Sequence, residues 1–302
     1  MVTEPAPVAV PETAPETAPE TALKTALETA LETAPETGAR SDAAEDARIR
    51  RTVATLRVED VLLLARKIDR RHALWPKSLN LWREEPWSDD LRRIVDVSGY
   101  TFSVFSMTPA TIAAVTRIAG IIGARSVLEL GAGVSTLALA QDLTDRCGSD
   151  WSLVSIDEDA DYADLIAGMC ATLSVPSRYS VLGARTAPAE AFDISTRCYD
   201  RRDVLPFAGA YAPYDMLVID GPKAGAEPGH PFARLPTVPV FRPFLRDDAV
   251  IVLDDVFRDT ELTAIVHWIR NGHVRPLGIS PVGKGLFVGR LRTPPATVPD
   301  DS

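Results

Sequence analysis

The chain has 302 residues, of which 46% are hydrophobic and 25% charged, and this composition is typical of a globular protein rather than a disordered or fibrous one. Its net charge of −10 offers no long-range attraction to nucleic acid or anionic lipid, so we expect neither a nucleic-acid partner nor a membrane partner. No apolar stretch reaches the roughly 18 residues of a membrane span. The first residues lack the basic-then-apolar pattern of a secretory signal, and three scattered cysteines suit a reducing cytoplasm.

Residues 1–42 are low-complexity sequence. A threonine recurs every four residues from Thr13 to Thr37, and seven glutamates against Lys24 and Arg40 give residues 1–40 half of the net charge. Prolines in the early repeats prevent a regular helix, and the leucines of the later ones form too small a face to join a core. We predict disordered tails over 1–42 and 293–302, the alternative for the first being a helix that binds a partner.

The segment 43–100 is predicted to cover the domain that follows it. Apolar residues recur at helical spacing from Ile49 to Ile68, which predicts an amphipathic helix. The stretch 75–100 contains three tryptophans and two prolines. We expect it to cover a sheet, the alternative being a lid over a pocket.

The first predicted strand ends in a glycine motif. Ser126–Leu130 is an aliphatic run, a helical pattern follows near Leu137, and the sequence across the junction is ELGAGVST, residues 129–136. A strand that turns through glycines into a helix exposes backbone amides to a ligand. Thr136 stands where dinucleotide-binding oxidoreductases carry a third glycine, which argues against that class.

Four further strands are predicted, and each ends in polar or small residues. They are Ser152–Ile156 before Asp157 and Glu158, Tyr179–Leu182 before Gly183, Ala184 and Arg185, Asp215–Ile219 before Asp220, and Ala249–Leu253 before Asp254 and Asp255. Helical segments separate the strands, and open parallel sheets of this kind bind ligands along the carboxyl edge. An acidic residue at the tip of the second strand is suited to hold ribose hydroxyls, so Asp157 is the first candidate and Glu158 the next.

The order of these motifs resembles that of the class I S-adenosylmethionine-dependent methyltransferases, over residues 101–292. The resemblance implies an α/β fold, a Rossmann-like methyltransferase sandwich whose mostly parallel seven-stranded sheet carries helices on both faces. The last two strands would form a hairpin from His273–Ile279 and Gly285–Leu291. It also implies that S-adenosylmethionine is the cofactor, and the candidate cofactor-binding residues are Glu129, Gly131, Gly133, Ser135, Asp157, Glu158, Ala184 and Arg185.

Within that class the chain is similar to the catechol-type O-methyltransferase branch and its looser bacterial relatives. The branch carries a Thr-Pro segment and a helix before the glycine motif, as Thr108-Pro109 and the residues after it do here. Its metal ligands are an aspartate after strand four and an Asp-Asn pair after strand five. This implies that Asp220, Asp254 and Asp255 bind Mg²⁺ or Mn²⁺, although Asp255 stands where asparagine is usual.

Two candidates for a general base follow from the same comparison. Lys223 occupies the position of the lysine regarded as the base in that branch, and a nearby cation in a dry pocket would ease its deprotonation. His230 lies on a Gly/Pro-rich loop beside the same strand end and is the rival. Asp220 completes the set of predicted catalytic residues.

The three aspartates have a second interpretation without a metal. Asp254 and Asp255 would cap the following segment and Asp220 would orient the turn after it. Arg234 and Arg258 would then pair with the carboxylates in a structural ion network.

We predict a methyltransferase that modifies a hydroxyl group of a small molecule, a catechol, phenol or sugar, with assistance from a divalent ion. One alternative is a metal-independent N- or O-methyltransferase of a small molecule or sugar. Another is a non-catalytic cofactor-binding module. A small-molecule acceptor is the expected partner, and the formation of a homodimer is left open.

Overall fold

The computed structural model describes residues 81–223, 231–280 and 282–292. The tails predicted over 1–42 and 293–302, and the greater part of the segment 43–100, lie outside these ranges. Within them, no helix combines the length and the apolar character needed to cross a membrane.

The helices alternate with the strands along most of the described chain. In chain order they are α1 (Leu81–Glu84), α2 (Asp89–Ser98), α3 (Pro109–Ile121), α4 (Val134–Cys147), α5 (Ala160–Thr172), α6 (Arg201–Gly209), α7 (Thr237–Phe241), the short 3₁₀ helix Arg242–Phe244, and α8 (Asp259–Arg270). The strands are β1 (Ser126–Leu130), β2 (Ser152–Asp157), β3 (Tyr179–Gly183), β4 (Thr186–Ala191), β5 (Ile194–Tyr199), β6 (Tyr214–Ile219), β7 (Leu245–Leu253), β8 (Val274–Ser280) and β9 (Leu286–Leu291).

Seven strands form one sheet in the order β3-β2-β1-β6-β7-β9-β8. Every neighbouring pair is parallel except those that include β9, which runs antiparallel to both β7 and β8. The predicted α/β fold with its terminal hairpin is therefore confirmed. The strand order reverses between β1 and β6, and the crevice at the carboxyl ends of those two strands is where open sheets of this kind bind ligands.

Helices cover both faces of the sheet and create two hydrophobic cores. Residues of α2, α3, α4 and α5 pack on one face, and residues of α6, α7 and α8 pack on the other. Alternate residues of a central strand serve the two cores, as Val127 and Leu128 do in β1. Burial on both faces explains why these strands are continuous aliphatic runs.

The hairpin of β4 and β5 was not predicted from the sequence. Its two-residue turn places Phe192 at φ 54° and Asp193 at φ 61°, in the left-handed region that turns of this length require. Glycine or asparagine usually occupies such positions, and β4 itself consists largely of alanine, proline and glutamate, which are poor strand formers. Neither the turn nor the strand therefore carried its usual sequence signal.

The described part of the predicted cover, residues 81–100, packs against the main domain. The ring centroids of Trp82 and Trp87 lie 5.9 and 4.8 Å from that of Phe102. Both tryptophans contact the core on the side of α3 and α4. These contacts agree with covering rather than with a lid.

Candidate active site

The glycine motif forms a tight loop between β1 and α4. Gly131 has φ +96°, and a β-carbon there would lie 2.8 Å from the backbone nitrogen of Gly221. The loops that follow β1 and β6 therefore touch, and both positions require glycine. The Thr136 hydroxyl accepts a hydrogen bond from the Gly133 amide (3.0 Å) and donates one to Glu129 Oε2 (2.6 Å).

Glu129 lies beneath this loop and is fully buried. Its Oε2 also accepts a hydrogen bond from the Ser155 hydroxyl at 2.7 Å, so the side chain ties β1 to β2 and to the first turn of α4. Burial raises the pKa of Glu129 to about 7, although side-chain hydrogen bonds from Ser135, Thr136 and Ser155 oppose the rise. The residue predicted to bind the cofactor thus anchors the loop that would hold it, and Ser135 is buried beside it.

Asp157 stands at the carboxyl end of β2 and holds two loops in place. Its Oδ2 accepts a hydrogen bond from the Ala132 amide and its Oδ1 one from the Asp159 amide, both at 2.9 Å. Burial raises its pKa to about 6. A carboxylate offers about four lone-pair sites, so each oxygen retains capacity for a ribose hydroxyl. Glu158 is partly buried and accepts a hydrogen bond from the Lys223 amide at 3.2 Å.

Two tyrosine hydroxyls border Gly133. A β-carbon there would meet nothing nearer than the hydroxyls of Tyr100 and Tyr162, each 3.7 Å away. These two hydroxyls lie 3.1 Å apart, and that of Tyr100 also lies 2.9 Å from Ser106 Oγ. Sequence reasoning did not identify either tyrosine, because their only local signal is an aromatic residue in a cover segment or a helix.

The end of β3 contributes backbone rather than side chains. Gly183 packs so closely on Ala160 that a β-carbon would lie 2.3 Å from its Cα. The buried Ala184 donates its amide hydrogen to the Asp157 carbonyl at 2.7 Å. Arg185 carries a side chain that is 84% exposed and lies 3.7 Å from Asp203 Oδ2. The structure therefore keeps Ala184 beside the acidic motif and turns the Arg185 side chain toward solvent.

The three aspartates that follow β6 and β7 converge as predicted. One carboxylate oxygen from each of Asp220, Asp254 and Asp255 lies within 4.8 Å of the others. Asp254 and Asp255 are buried, whereas the Asp220 side chain is 13% exposed. The edge shared by the two parallel strands accounts for the convergence, because the amide of Asp254 bonds the carbonyl of Ile219 at the end of β6 (2.9 Å).

Three cationic side chains pair with these carboxylates, and we call the whole set the buried charge cluster. Its members are the carboxylates Asp220, Asp254, Asp255 and Glu261 and the cations Arg234, Arg258 and Lys284. Arg234 Nη2 lies 3.2 Å from both Asp220 Oδ1 and Asp255 Oδ2. Arg258 Nη1 lies 2.9 Å from Asp255 Oδ2, and Lys284 Nζ lies 2.7 Å from Asp255 Oδ1.

The direction of each aspartate's pKa shift follows the number of cations paired with it. Burial would raise the pKa of Asp255, but Arg234, Lys284 and Arg258 outweigh it and lower the pKa. Burial and the charge of Asp255 raise the pKa of Asp254 well above its usual range. Burial also raises the pKa of Asp220, although Arg234 opposes the rise. Asp255 is therefore the anionic centre of the buried charge cluster.

A divalent ion does not fit among these side chains. Both oxygens of Asp255 already face cations, and Asp220 Oδ1 faces Arg234. Only Asp254 has two carboxylate oxygens without a hydrogen-bond partner in the described part of the chain, and one carboxylate does not make a site for Mg²⁺ or Mn²⁺. The carboxylates meet as the metal prediction requires, but their pairing with Arg234 and Arg258 is that of the ion-network alternative.

The surroundings of Lys223 differ from the dry pocket that was predicted. Its side chain is 54% exposed, its Nζ lies 3.8 Å from Glu158 Oε1, and it stands 5.6 Å from the ring centroid of Phe105. His230, the rival base, lies outside the described residues. Of the predicted catalytic residues, Asp220 is the one that combines a partly exposed carboxylate with contact to the glycine loop, since a β-carbon on Gly131 would lie 3.3 Å from its Cβ.

Residues 128–256 match the family model Methyltransf_24, described as a methyltransferase domain. No curated protein matches the chain. The fold is similar to that of an O-methyltransferase from Bacillus cereus solved in complex with SAH, at 17% identity and TM-score 0.49, covering 71% of this chain and all of that one. It is also similar to the O-methyltransferase TomG from Streptomyces achromogenes in complex with SAM, at 17% identity and TM-score 0.48, covering 69% and 92% of the two chains.

A methyltransferase from Geobacter sulfurreducens is similar at 15% identity and TM-score 0.48, covering 71% of this chain and 95% of that one. The family match spans the part of the chain from β1 to the buried charge cluster. It therefore includes the glycine loop, the acidic end of β2 and the carboxylates after β6 and β7. Residues 128–256 therefore match a methyltransferase domain, and they lie in the mostly parallel seven-stranded sheet that the resemblance to class I S-adenosylmethionine-dependent methyltransferases implies.

Proposed function

We propose that this protein transfers a methyl group from S-adenosylmethionine to a hydroxyl oxygen of a small molecule. The observation that carries the proposal is the contact between the glycine loop and Asp220 at the point where the strand order reverses. A cofactor held by the loop would thus lie next to a partly exposed carboxylate that can accept the proton of an acceptor hydroxyl. The solved O-methyltransferases named above, which bind SAM or SAH, agree with the same assignment.

The chain's own groups suit the cofactor in three respects. The start of α4 has backbone amides that need an acceptor, and Gly133 has no side chain to fill the space beside them. Asp157 has acceptor capacity for two ribose hydroxyls. The hydroxyls of Tyr100 and Tyr162 border the same space and offer both donors and acceptors.

The proposed reaction is a displacement at carbon. When bound, S-adenosylmethionine supplies an electrophilic methyl group on its sulfonium sulfur. The acceptor oxygen forms the new bond to carbon, the bond from sulfur to carbon breaks, and Asp220 takes the hydroxyl proton. Burial raises the pKa of Asp220, and a base whose pKa lies nearer neutrality accepts a proton more readily. The protein otherwise contributes by aligning the two reactants.

A screen of hydroxyl-bearing small molecules tests this proposal. The full chain is mixed with S-adenosylmethionine and each acceptor, and the S-adenosylhomocysteine released is measured by a coupled assay. We expect turnover with phenols, catechols or sugars, and a large loss of kcat in Asp220→Asn with little change in cofactor affinity. If the best acceptor is methylated on nitrogen, or if Asp220→Asn keeps the wild-type kcat, the proposal fails.

We also propose that the protein works in a reducing compartment such as the cytoplasm. Cys147, Cys170 and Cys198 are all free thiols, and the last two are buried. Free cysteines of this kind are usual where thiols are kept reduced. Fractionation of producing cells, followed by detection of the protein in each fraction, tests this location.

A further inference from the structure

The buried charge cluster contains nearly as much positive as negative charge. Its four carboxylates against three cations leave a formal charge of −1, and a divalent ion would turn this into +1. Carboxylates crowded together repel each other unless cations neutralise them. Here the chain supplies those cations itself.

Arg234 connects the members of the cluster that come from different loops. Besides its contacts with Asp220 and Asp255, its Nη1 donates to the Asp254 carbonyl at 3.1 Å and lies 3.5 Å from Glu261 Oε1. Its Nη2 also donates to the Asp220 carbonyl. The guanidinium is 4% exposed, and its fixed fork of donors is well suited to several acceptors at once.

Lys284 reaches the cluster from the loop between β8 and β9. Two backbone hydrogen bonds join this loop to the segment after β7, from the Val256 amide to the Gly285 carbonyl (3.1 Å) and from the Phe257 amide to the Lys284 carbonyl (3.3 Å). The side chain is 3% exposed. Its ammonium group lies 2.7 Å from Asp255 Oδ1, within direct pairing distance of the carboxylate.

We propose that Arg234, Arg258 and Lys284 serve as the permanent counter-cations of this acidic site in place of a divalent metal ion. The proposal rests on the proposed function and adds that methyl transfer needs no metal. Asp255 is the residue that distinguishes the two designs. In a metal centre of the catechol type an asparagine is usual at its position, so Asp255→Asn would be mild. In a cluster held by internal cations, the same change removes the carboxylate that three cations share.

The substitution Asp255→Asn removes the negative charge and keeps the size of the side chain. Asp255 has φ 61°, and asparagine also tolerates this left-handed conformation, so the backbone is not newly strained. Arg246→Gln is the matched control, because Arg246 pairs with Asp215 at 2.6 Å at the opposite ends of β6 and β7, and its side chain is 53% exposed. Thermal unfolding is measured for the full chain and both variants, each in EDTA and in millimolar Mg²⁺.

We expect Asp255→Asn to lower the Tm by about 6 to 20 °C, as the loss of one partner from a buried ion pair does in a domain of this size. Arg246→Gln should change the Tm by no more than a degree or two, because exposed pairs contribute little. The wild-type Tm should be the same in EDTA and in Mg²⁺. An Asp255→Asn variant as stable as wild type would overturn the proposal.

Calorimetric titration with Mn²⁺ provides a second test that needs no variant to fold. The sample is wild-type protein that has been stripped of metal with EDTA and then dialysed to remove the chelator. We expect no stoichiometric site. Binding of one ion per chain that disappears in Asp254→Ala would overturn the proposal. Titration of the same sample with S-adenosylhomocysteine separates this proposal from the proposed function. If the protein binds both S-adenosylhomocysteine and Mn²⁺, the metal-free cluster is refuted and the proposed function stands.

Discussion

Replacement of Asp157 by alanine tests whether the end of β2 holds the cofactor. The change removes the acceptor for the Ala132 and Asp159 amides and, by the proposal, for the ribose hydroxyls. Hydrogen bonds to a charged group contribute about 1.5–3 kcal/mol each, so the two amide bonds together stabilise the fold by about 3–6 kcal/mol. Ionisation of this carboxylate in the fold costs about 3 kcal/mol at pH 7, because burial raises the pKa from 3.8 to about 6.

The pKa of about 6 is reached with both amide bonds in place, so desolvation largely offsets them, and Asp157→Ala should change the free energy of unfolding by less than about 3 kcal/mol in either direction. Cofactor affinity has no such compensation. Loss of one charge-assisted bond to the ribose should weaken S-adenosylhomocysteine binding by about 10- to 150-fold. Titration calorimetry on the full chain measures the dissociation constant, and urea unfolding measures the stability of the same preparation.

Asp150→Ala is the control. Asp150 lies just before the start of β2, at the end of the strand far from Asp157, where it pairs with Arg125 and its side chain is 79% exposed. It should leave both the affinity and the stability close to wild type. An unchanged dissociation constant in Asp157→Ala would refute the assignment of the ribose to this carboxylate. Glu158 would then be the residue to replace.

Two further predictions concern the loop itself. Burial raises the pKa of Glu129 from 4.5 to about 7, so wild type loses stability as the pH rises between those values. Glu129→Gln should therefore be more stable than wild type by up to about 3 kcal/mol at pH 8, with no such gain near pH 4.5. Urea unfolding at both pH values measures this, and a stability difference that does not change with pH would contradict it. Gly131→Ala should destabilise the fold by about 1–3 kcal/mol and weaken S-adenosylhomocysteine binding, because the residue has φ +96° and a β-carbon would strike the Gly221 backbone. Thermal unfolding should show Gly168→Ala, a helical change with open space around it, to be no less stable than wild type, and equal effects of the two substitutions would refute the packing argument.

The parallel strands were predictable from sequence almost to the residue. β1 matches its predicted bounds, and the predicted second, third and fourth strands differ by one residue at one end. Burial on both faces demands unbroken aliphatic runs, and that demand is visible locally. The start of β7 was missed because Arg246, Asp247 and Asp248, which follow its first residue Leu245, are polar and exposed.

The site was predictable to the extent that strand ends define it. Asp220, Asp254 and Asp255 were brought together correctly, because the carboxyl ends of neighbouring parallel strands meet at one edge. Their charge partners depend on loops that are distant in sequence. Arg234 and Arg258 were foreseen as the alternative to a metal. Lys284 was not, since no local pattern indicates that the loop between β8 and β9 carries a buried ammonium group to Asp255.

Binding of S-adenosylhomocysteine to the full-length wild-type chain tests the central claim most directly. Isothermal titration calorimetry at neutral pH, in the presence of EDTA, requires neither a known acceptor nor a metal. We predict saturable binding of one molecule per chain with an affinity that is the same when Mg²⁺ replaces EDTA. The absence of saturable binding in a sample that unfolds cooperatively would contradict the assignment of the glycine loop and Asp157 to a cofactor site, and with it the proposed methyl transfer.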